Sequence, residues 1–296
     1  SDFAVITLGR SGGENYENGY LPITQIEMDL IKDVCDVYHA KGKKVIVVLN
    51  VGGVWETASW RDYPDAILLV WQPGQEGGYA VADIIKGTIN PSGKLPDSFP
   101  MIYEDVPSSK SFPGIPANDP VNSFYEEGIY VGYRYYDSFN VPTAYEFGYG
   151  MSYTKFDYSN LKLSSNSFSS KIKVTVTVKN TGKVVGKEIV QLYLKAPSAE
   201  IEKPEKELKG FAKTKLLKPG ESQQLSFNLD KRSLASFWSG ISSWVADKGD
   251  YEVRIGASSK DIRLKATFHL SEKIIVEKVH DVLYPNFMMK EMSKFD

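Results

Sequence analysis

The chain has 296 residues with 35 basic and 37 acidic side chains, a formal net charge of −2. That balance excludes the concentrated Lys/Arg excess on which nucleic-acid and anionic-membrane partners depend. Hydrophobic residues at 42% and charged residues at 24% describe folded globular domains, and the length suits roughly two of them.

Phe3 to Leu8 (FAVITL) reads as a short buried parallel strand. Ile23, Ile26, Leu30, Ile31, Val34, Val37 and Tyr38 recur at helical steps, with Gly42 as the stop. VIVVLNVG and AILLVW supply two further strands, and Ala80, Val81, Ile84 and Ile85 a short helix closed by Gly87. This order predicts a partial α/β fold, a mostly parallel sheet with flanking helices. Prolines crowd the stretch from Pro91 to Pro120, and the aromatics Phe99, Tyr103, Phe112, Phe124 and Tyr125 predict that it packs as ordered loop. From about residue 160 the period becomes two, through Ile172–Val178, Val190–Leu194, Leu225–Leu229, Tyr251–Ile255 and Leu264–Leu270. Strands of that spacing, separated by turn signals such as Pro219-Gly220, predict an all-β immunoglobulin-like sandwich. The domain division is therefore 1–158, 159–271 and a tail or connector over 272–296, which fits neither period.

The single cysteine, Cys35, forms no internal disulfide and sits in the helical pattern as a small buried hydrophobe. His39, His269 and His280 lie in no metal-ligand spacing, and no G-x-S-x-G elbow is present. Catalysis, if it resides here, falls to carboxylates. The segment after the first strand, Gly9-Arg10-Ser11-Gly12-Gly13-Glu14-Asn15-Tyr16-Glu17, leaves the carboxyl end of a parallel strand, where open α/β sheets place ligands. A carboxylate there, flanked by Arg10 and Tyr16, suits general acid/base work, while a solvated surface Glu is the plainer reading. The segment matches neither dinucleotide nor P-loop spacing, so phosphate binding has no support. Aromatics are 12% of the chain. YEEGIYVGYRYYDSF sets several around Glu126, Glu127, Arg134 and Asp137, either as a sugar-stacking surface or as packing between domains.

WQPGQEGGYAVADIIKGTINPSGKLPDSFP, YVGYRYYDSF and YEFGYGMSYTKF, in that order, resemble glycoside hydrolase family 3, the β-glucosidase and β-xylosidase group. KPEKELKGFAKTKLLKPGES resembles the fibronectin type III-like domain that many of its members carry. The resemblance implies retaining hydrolysis of β-glycosides by two carboxyl groups about 5 to 5.5 Å apart. It implies that the nucleophilic Asp lies in a (β/α)₈ barrel and the acid/base Glu on a loop of the α/β domain. Glu14 matches that Glu, with Arg10 and Tyr16 as substrate contacts and Glu17 as a loop-ordering neighbour. Neither a metal nor an organic cofactor is implied. The chain opens on Ser-Asp-Phe-Ala and contains no barrel, so the expected partners are a barrel segment or chain and a β-glucoside or β-linked oligosaccharide. A β-xylosidase or arabinosidase, or a non-catalytic carbohydrate-binding module, is the alternative. Compartment, homo-oligomerisation, linkage preference and whether the barrel precedes or follows stay open.

Overall fold

The computed structural model describes residues 1–10, 22–114, 121–198, 200–280, 282 and 290–295, in two compact units. The first comprises Ser1–Ile89, Asp97–Val106 and Pro142–Tyr145. Its elements are β1 (Phe3–Gly9), α1 (Gln25–His39), β2 (Lys44–Asn50), β3 (Ala66–Leu69), α2 (Gly77–Ile85), β4 (Phe99–Pro100) and β5 (Thr143–Tyr145). β1, β2 and β3 form a parallel sheet in that order, with Val5 opposite Ile46 and Ile46 opposite Ala66. β2 is buried along almost its whole length, as a central parallel strand requires.

FAVITL, expected to be buried throughout, alternates instead: Ile6 and Leu8 are buried while Phe3 and Val5 are exposed. Among the described residues β1 is an edge strand, and only one of its faces meets the core of Ile31, Cys35, Val45, Val47, Leu49, Trp55 and Trp60. α1 enters that core through Ile31 and Cys35, one helical turn apart. Full burial of an aliphatic side chain such as Ile31 contributes about 1.5–3 kcal/mol. Thr24 caps the helix, and Gly42 at φ +63° takes the left-handed turn that lets Lys43 N–H return to the Tyr38 carbonyl. At the start of α2, Gly77 lies so close to Pro73 that a Cβ would sit 2.5 Å from the proline ring.

The second unit comprises Asn90–Pro96, Pro107–Val141 and Glu146–Asp296. It contains α3 (Tyr133–Ser138), β6 (Phe156–Leu163), β7 (Lys171–Asn180), β8 (Ile189–Lys195), β9 (Glu207–Lys213), β10 (Ser222–Asp230), α4 (Lys231–Leu234), β11 (Ser236–Trp238), β12 (Ser243–Ala246), β13 (Gly249–Gly256), β14 (Ile262–Leu270) and β15 (Ile274–Lys278). One sheet runs β10-β7-β6 and another β14-β13-β8-β9, all antiparallel. Their inward residues, including Ile172, Val176, Leu192, Leu229, Val253 and Phe268, share one core, and the outward positions between them are polar. A third sheet, β11-β12-β15, draws Ile274–Lys278 out of the segment that fitted neither period and pairs it with β12.

Two ion pairs lie inside this unit: Lys203 with Asp247 at 2.9 Å and Lys206 with Asp137 at 2.7 Å. Near the C-terminus the Glu202 carboxylate accepts from Ser293 Oγ at 2.7 Å, from Lys294 N–H at 2.6 Å and from the Tyr130 hydroxyl. Partial burial opposes ionisation of Glu202, but these donors hold its carboxyl below the usual range.

Candidate functional site

The carboxyl ends of the three parallel strands bring together Arg10, which follows β1, Asn50, which ends β2, and Trp71, two residues beyond β3. Arg10 N–H donates to the Asn50 carbonyl at 3.1 Å, so the ladder between the first two strands extends one residue past β1. Gly52 packs against the Gln72 side chain, where a Cβ would meet Nε2 at 2.7 Å. That approach draws the turn after β2 against the turn after β3.

The Arg10 guanidinium is the best-defined charged group of this edge. Nη1 and Nη2 donate to the two carboxylate oxygens of Glu27 at 2.5 Å each, and Nη1 donates also to the Gly9 carbonyl at 3.0 Å. Its face lies 4.5 Å from the Trp55 ring centroid. Among the described residues these bonds use three of the five N–H donors of the guanidinium, and the side chain is 23% exposed. Hydrogen bonding from Arg10 lowers the Glu27 carboxyl to about 2, against partial burial and with further bonds from Thr24. Glu27 is therefore an anion at any physiological pH and does not itself serve as the proton donor.

Trp55 is 1% exposed, and among the described residues its indole N–H has no acceptor. Its ring lies 6.1 Å from Trp60, whose indole N–H donates to the Glu56 carbonyl at 2.7 Å. Trp71 adopts φ +53°, a left-handed conformation that strains a bulky residue and marks a position fixed by its surroundings. Its ring lies 6.4 Å from Phe99, which meets Tyr145 edge-on at 6.2 Å.

Of the residues singled out in the sequence, Arg10 lies at this edge, whereas Glu14, Tyr16 and Glu17 lie outside the described residues. Glu27, Trp55 and Trp71 escaped the sequence reading. Thr24-Gln25-Ile26-Glu27 carries the capping-box spacing and was open to detection. The bond from Glu27 to an arginine seventeen positions upstream had no such signal.

The aromatic segment of the second unit serves packing in large part. Tyr133 stacks on Phe147 at 4.7 Å, meets Tyr193 of β8 edge-on at 5.8 Å, and its hydroxyl accepts the Leu208 N–H at 2.7 Å. Arg134 pairs with Glu207 at 3.5 Å, and Asp137 with Lys206 of the same β9 border. Tyr125 remains 71% exposed. His39 and His269 face Asp65 and Asp250 at 2.9 and 2.7 Å, and among the described residues no group of His, Cys, Asp and Glu is arranged to hold a metal ion. No helix of the described residues is long and apolar enough to cross a membrane.

Comparison with known proteins gives two family matches: the glycosyl hydrolase family 3 C-terminal domain over residues 1–133 and a fibronectin type III-like domain over 188–259. The chain is 39% identical over 283 residues, 94% of its length, to thermostable β-glucosidase B of Acetivibrio thermocellus, of which it spans 36%. It is 36% identical over 84% of its length to an exo-α-(1→6)-L-arabinopyranosidase of Bifidobacterium longum, of which it spans 32%. Among solved structures, β-glucosidase 3B of Thermotoga neapolitana in complex with α-D-glucose superposes with a TM-score of 0.88 at 52% identity, over 92% of this chain and 38% of that one. The chain thus spans about a third of the length of the relatives it matches.

Proposed function

Since the chain belongs to glycosyl hydrolase family 3, as its C-terminal domain followed by a fibronectin type III-like domain, we propose that it supplies the general acid/base portion of a retaining, exo-acting β-glucosidase. The substrate is a terminal non-reducing β-D-glucosyl residue, and Glu14 is the acid/base. The observation that carries this reading is the anchored Arg10: a guanidinium pinned by Glu27 and Trp55 at the carboxyl end of β1, directly before the glycine-rich segment with Glu14. A barrel segment or chain beyond the 296 residues supplies the Asp nucleophile.

In the first half-reaction the aspartate attacks C1 of the glucosyl ring while protonated Glu14 gives its proton to the departing glycosidic oxygen. In the second, the Glu14 carboxylate takes a proton from water, whose oxygen displaces the aspartate from C1. Retention follows from the two inversions and needs the carboxyl groups about 5 to 5.5 Å apart. Glu14 has to begin each cycle protonated, which partial desolvation by the bound sugar favours. The Arg10 guanidinium and the Tyr16 hydroxyl are assigned to sugar hydroxyls.

With the barrel present, Glu14→Gln lowers turnover of cellobiose by about 10²- to 10⁴-fold, the usual span of acid/base catalysis, and affects glycosylation by an activated aryl glucoside far less. Equal cellobiose turnover by the variant refutes the assignment. The Bifidobacterium relative, an exo-α-(1→6)-L-arabinopyranosidase 36% identical to this chain, favours one second reading, an arabinosidase of the same family. Relative rates on aryl β-glucoside, β-xyloside and α-L-arabinopyranoside separate the two.

A further inference from the structure

Glu202, in the loop between β8 and β9, joins segments that lie far apart in the sequence. Its Oε1 accepts the Lys294 backbone N–H at 2.6 Å and the Tyr130 hydroxyl, and its Oε2 accepts Ser293 Oγ at 2.7 Å. Lys294 Nζ donates to the Lys203 carbonyl at 2.6 Å. The loop itself is a fixed post, because Lys203 and Lys206 make the buried ion pairs with Asp247 and Asp137. On the other side Met292 N–H donates to the Glu126 carbonyl at 2.7 Å, and Glu291 lies against Gly128, where a Cβ would meet its Oε2 at 3.0 Å. Gly128 takes φ +55° in a turn closed by the Tyr130 N–H on the Glu127 carbonyl at 2.9 Å. Among the described residues none of 121–131 belongs to the sandwich core, and Val121, Tyr125, Ile129 and Val131 are exposed. Of this stretch only Tyr130 is fully buried: its ring meets Phe139 edge-on at 4.9 Å while its hydroxyl reaches Glu202.

The geometry points to residues 291–294 as a strap: laid against the 126–130 turn and fastened to Glu202, they hold in place the segment that presents Tyr125 and Val131. With one buried side chain, the turn has little apolar burial of its own, and polar contacts carry its order. The bonds to Glu202 are charge-assisted, the stronger kind. Burial and the Glu202 charge push the Tyr130 hydroxyl well above its ordinary value, so it stays protonated and stays a donor. Tyr130 and Lys294 meet on the same carboxylate oxygen, so the order of the turn and the order of the strap are coupled, and the coupling is reciprocal. Displacing the strap converts the turn from ordered to mobile without touching the sandwich core.

The test follows amide hydrogen exchange in the full-length protein. One variant has residues 291–294 replaced by Gly-Ser-Gly-Ser, and the other is Tyr130→Phe, which keeps the ring and drops one donor. The replacement speeds exchange at Tyr130, and cleavage by a glutamate-specific protease after Glu126 and Glu127, about 10- to 100-fold, while exchange in β7 and β13 stays as in wild type. Tyr130→Phe, acting from the other end, speeds exchange of the Lys294 amide about 3- to 10-fold. Turn exchange within about 2-fold of wild type in the replaced variant overturns the proposal. So does an acceleration spread equally over β7 and β13, which makes residues 291–294 a general stabiliser of the unit, and so does a Lys294 amide indifferent to Tyr130→Phe.

Discussion

The Glu27 carboxyl sits far enough below its ordinary value to make stability depend on acid in a defined window. Its ordinary value is 4.5 and in the folded protein it is about 2. A carboxyl lowered by folding stabilises above 4.5, and that contribution disappears as the pH falls toward 2. The difference, about 2.5 units, corresponds to about 3 kcal/mol. Arg10 and Glu27 side chains are 23% and 16% exposed, so solvent screening reduces the figure to about 1.5 kcal/mol. About 70% of it is gone by pH 3.5. Glu27→Gln removes the titration while leaving the lowered carboxyl of Asp65 in both proteins, so Asp65 cancels in the difference. Urea unfolding followed by tryptophan fluorescence reads the gap, because Trp55 and Trp60 lie in the same core. The gap of about 1.5 kcal/mol at pH 7 narrows to about 0.4 kcal/mol at pH 3.5. A gap that is constant or wider at pH 3.5 refutes the electrostatic origin.

Asp247→Asn strands Lys203 at 1% side-chain exposure and destabilises the second unit by about 3–5 kcal/mol, whereas Lys203→Met with Asp247→Leu stays within about 1 kcal/mol of wild type in denaturant melts. Leu192→Ala empties a fully buried site in the sandwich core and lowers stability by about 2–5 kcal/mol in the same assay. Glu202→Gln loosens residues 290–295 by about 1–2 kcal/mol, so tryptic cleavage after Lys290 accelerates about 5- to 30-fold.

The elements with strong periods were legible in the sequence. α1 follows from Ile31, Cys35 and their neighbours at helical spacing, β2 from its unbroken apolar run, and β7 from Ile172, Val174, Val176 and Val178. β15 was missed because IIVEK has one polar face and no turn signal that names its partner strand, which pairing with β12 alone supplies. β9, with its Gly210 and its half-buried pattern, likewise shows no clean alternation. The exposed Phe3 and Val5 mislead for a related reason: an apolar run reports β-propensity but not which face of an edge strand is covered. At the candidate site the segment after β1 could be located from its glycines and its place behind a strand. The Arg10–Glu27 bond could not, since it joins residues brought near by the parallel sheet and the helix that packs on it, and no local spacing records that approach.

The most direct measurement is product analysis with azide in a Glu14→Ala variant combined with the barrel. A retaining enzyme that has lost its acid/base still forms the glycosyl-enzyme from an activated aryl glucoside, and azide, which needs no base, then captures it. The expected result is azide-accelerated turnover with β-glucosyl azide as the product and almost no cleavage of cellobiose. Wild-type cleavage of cellobiose by the variant, with no glucosyl azide formed, would contradict the role assigned to Glu14.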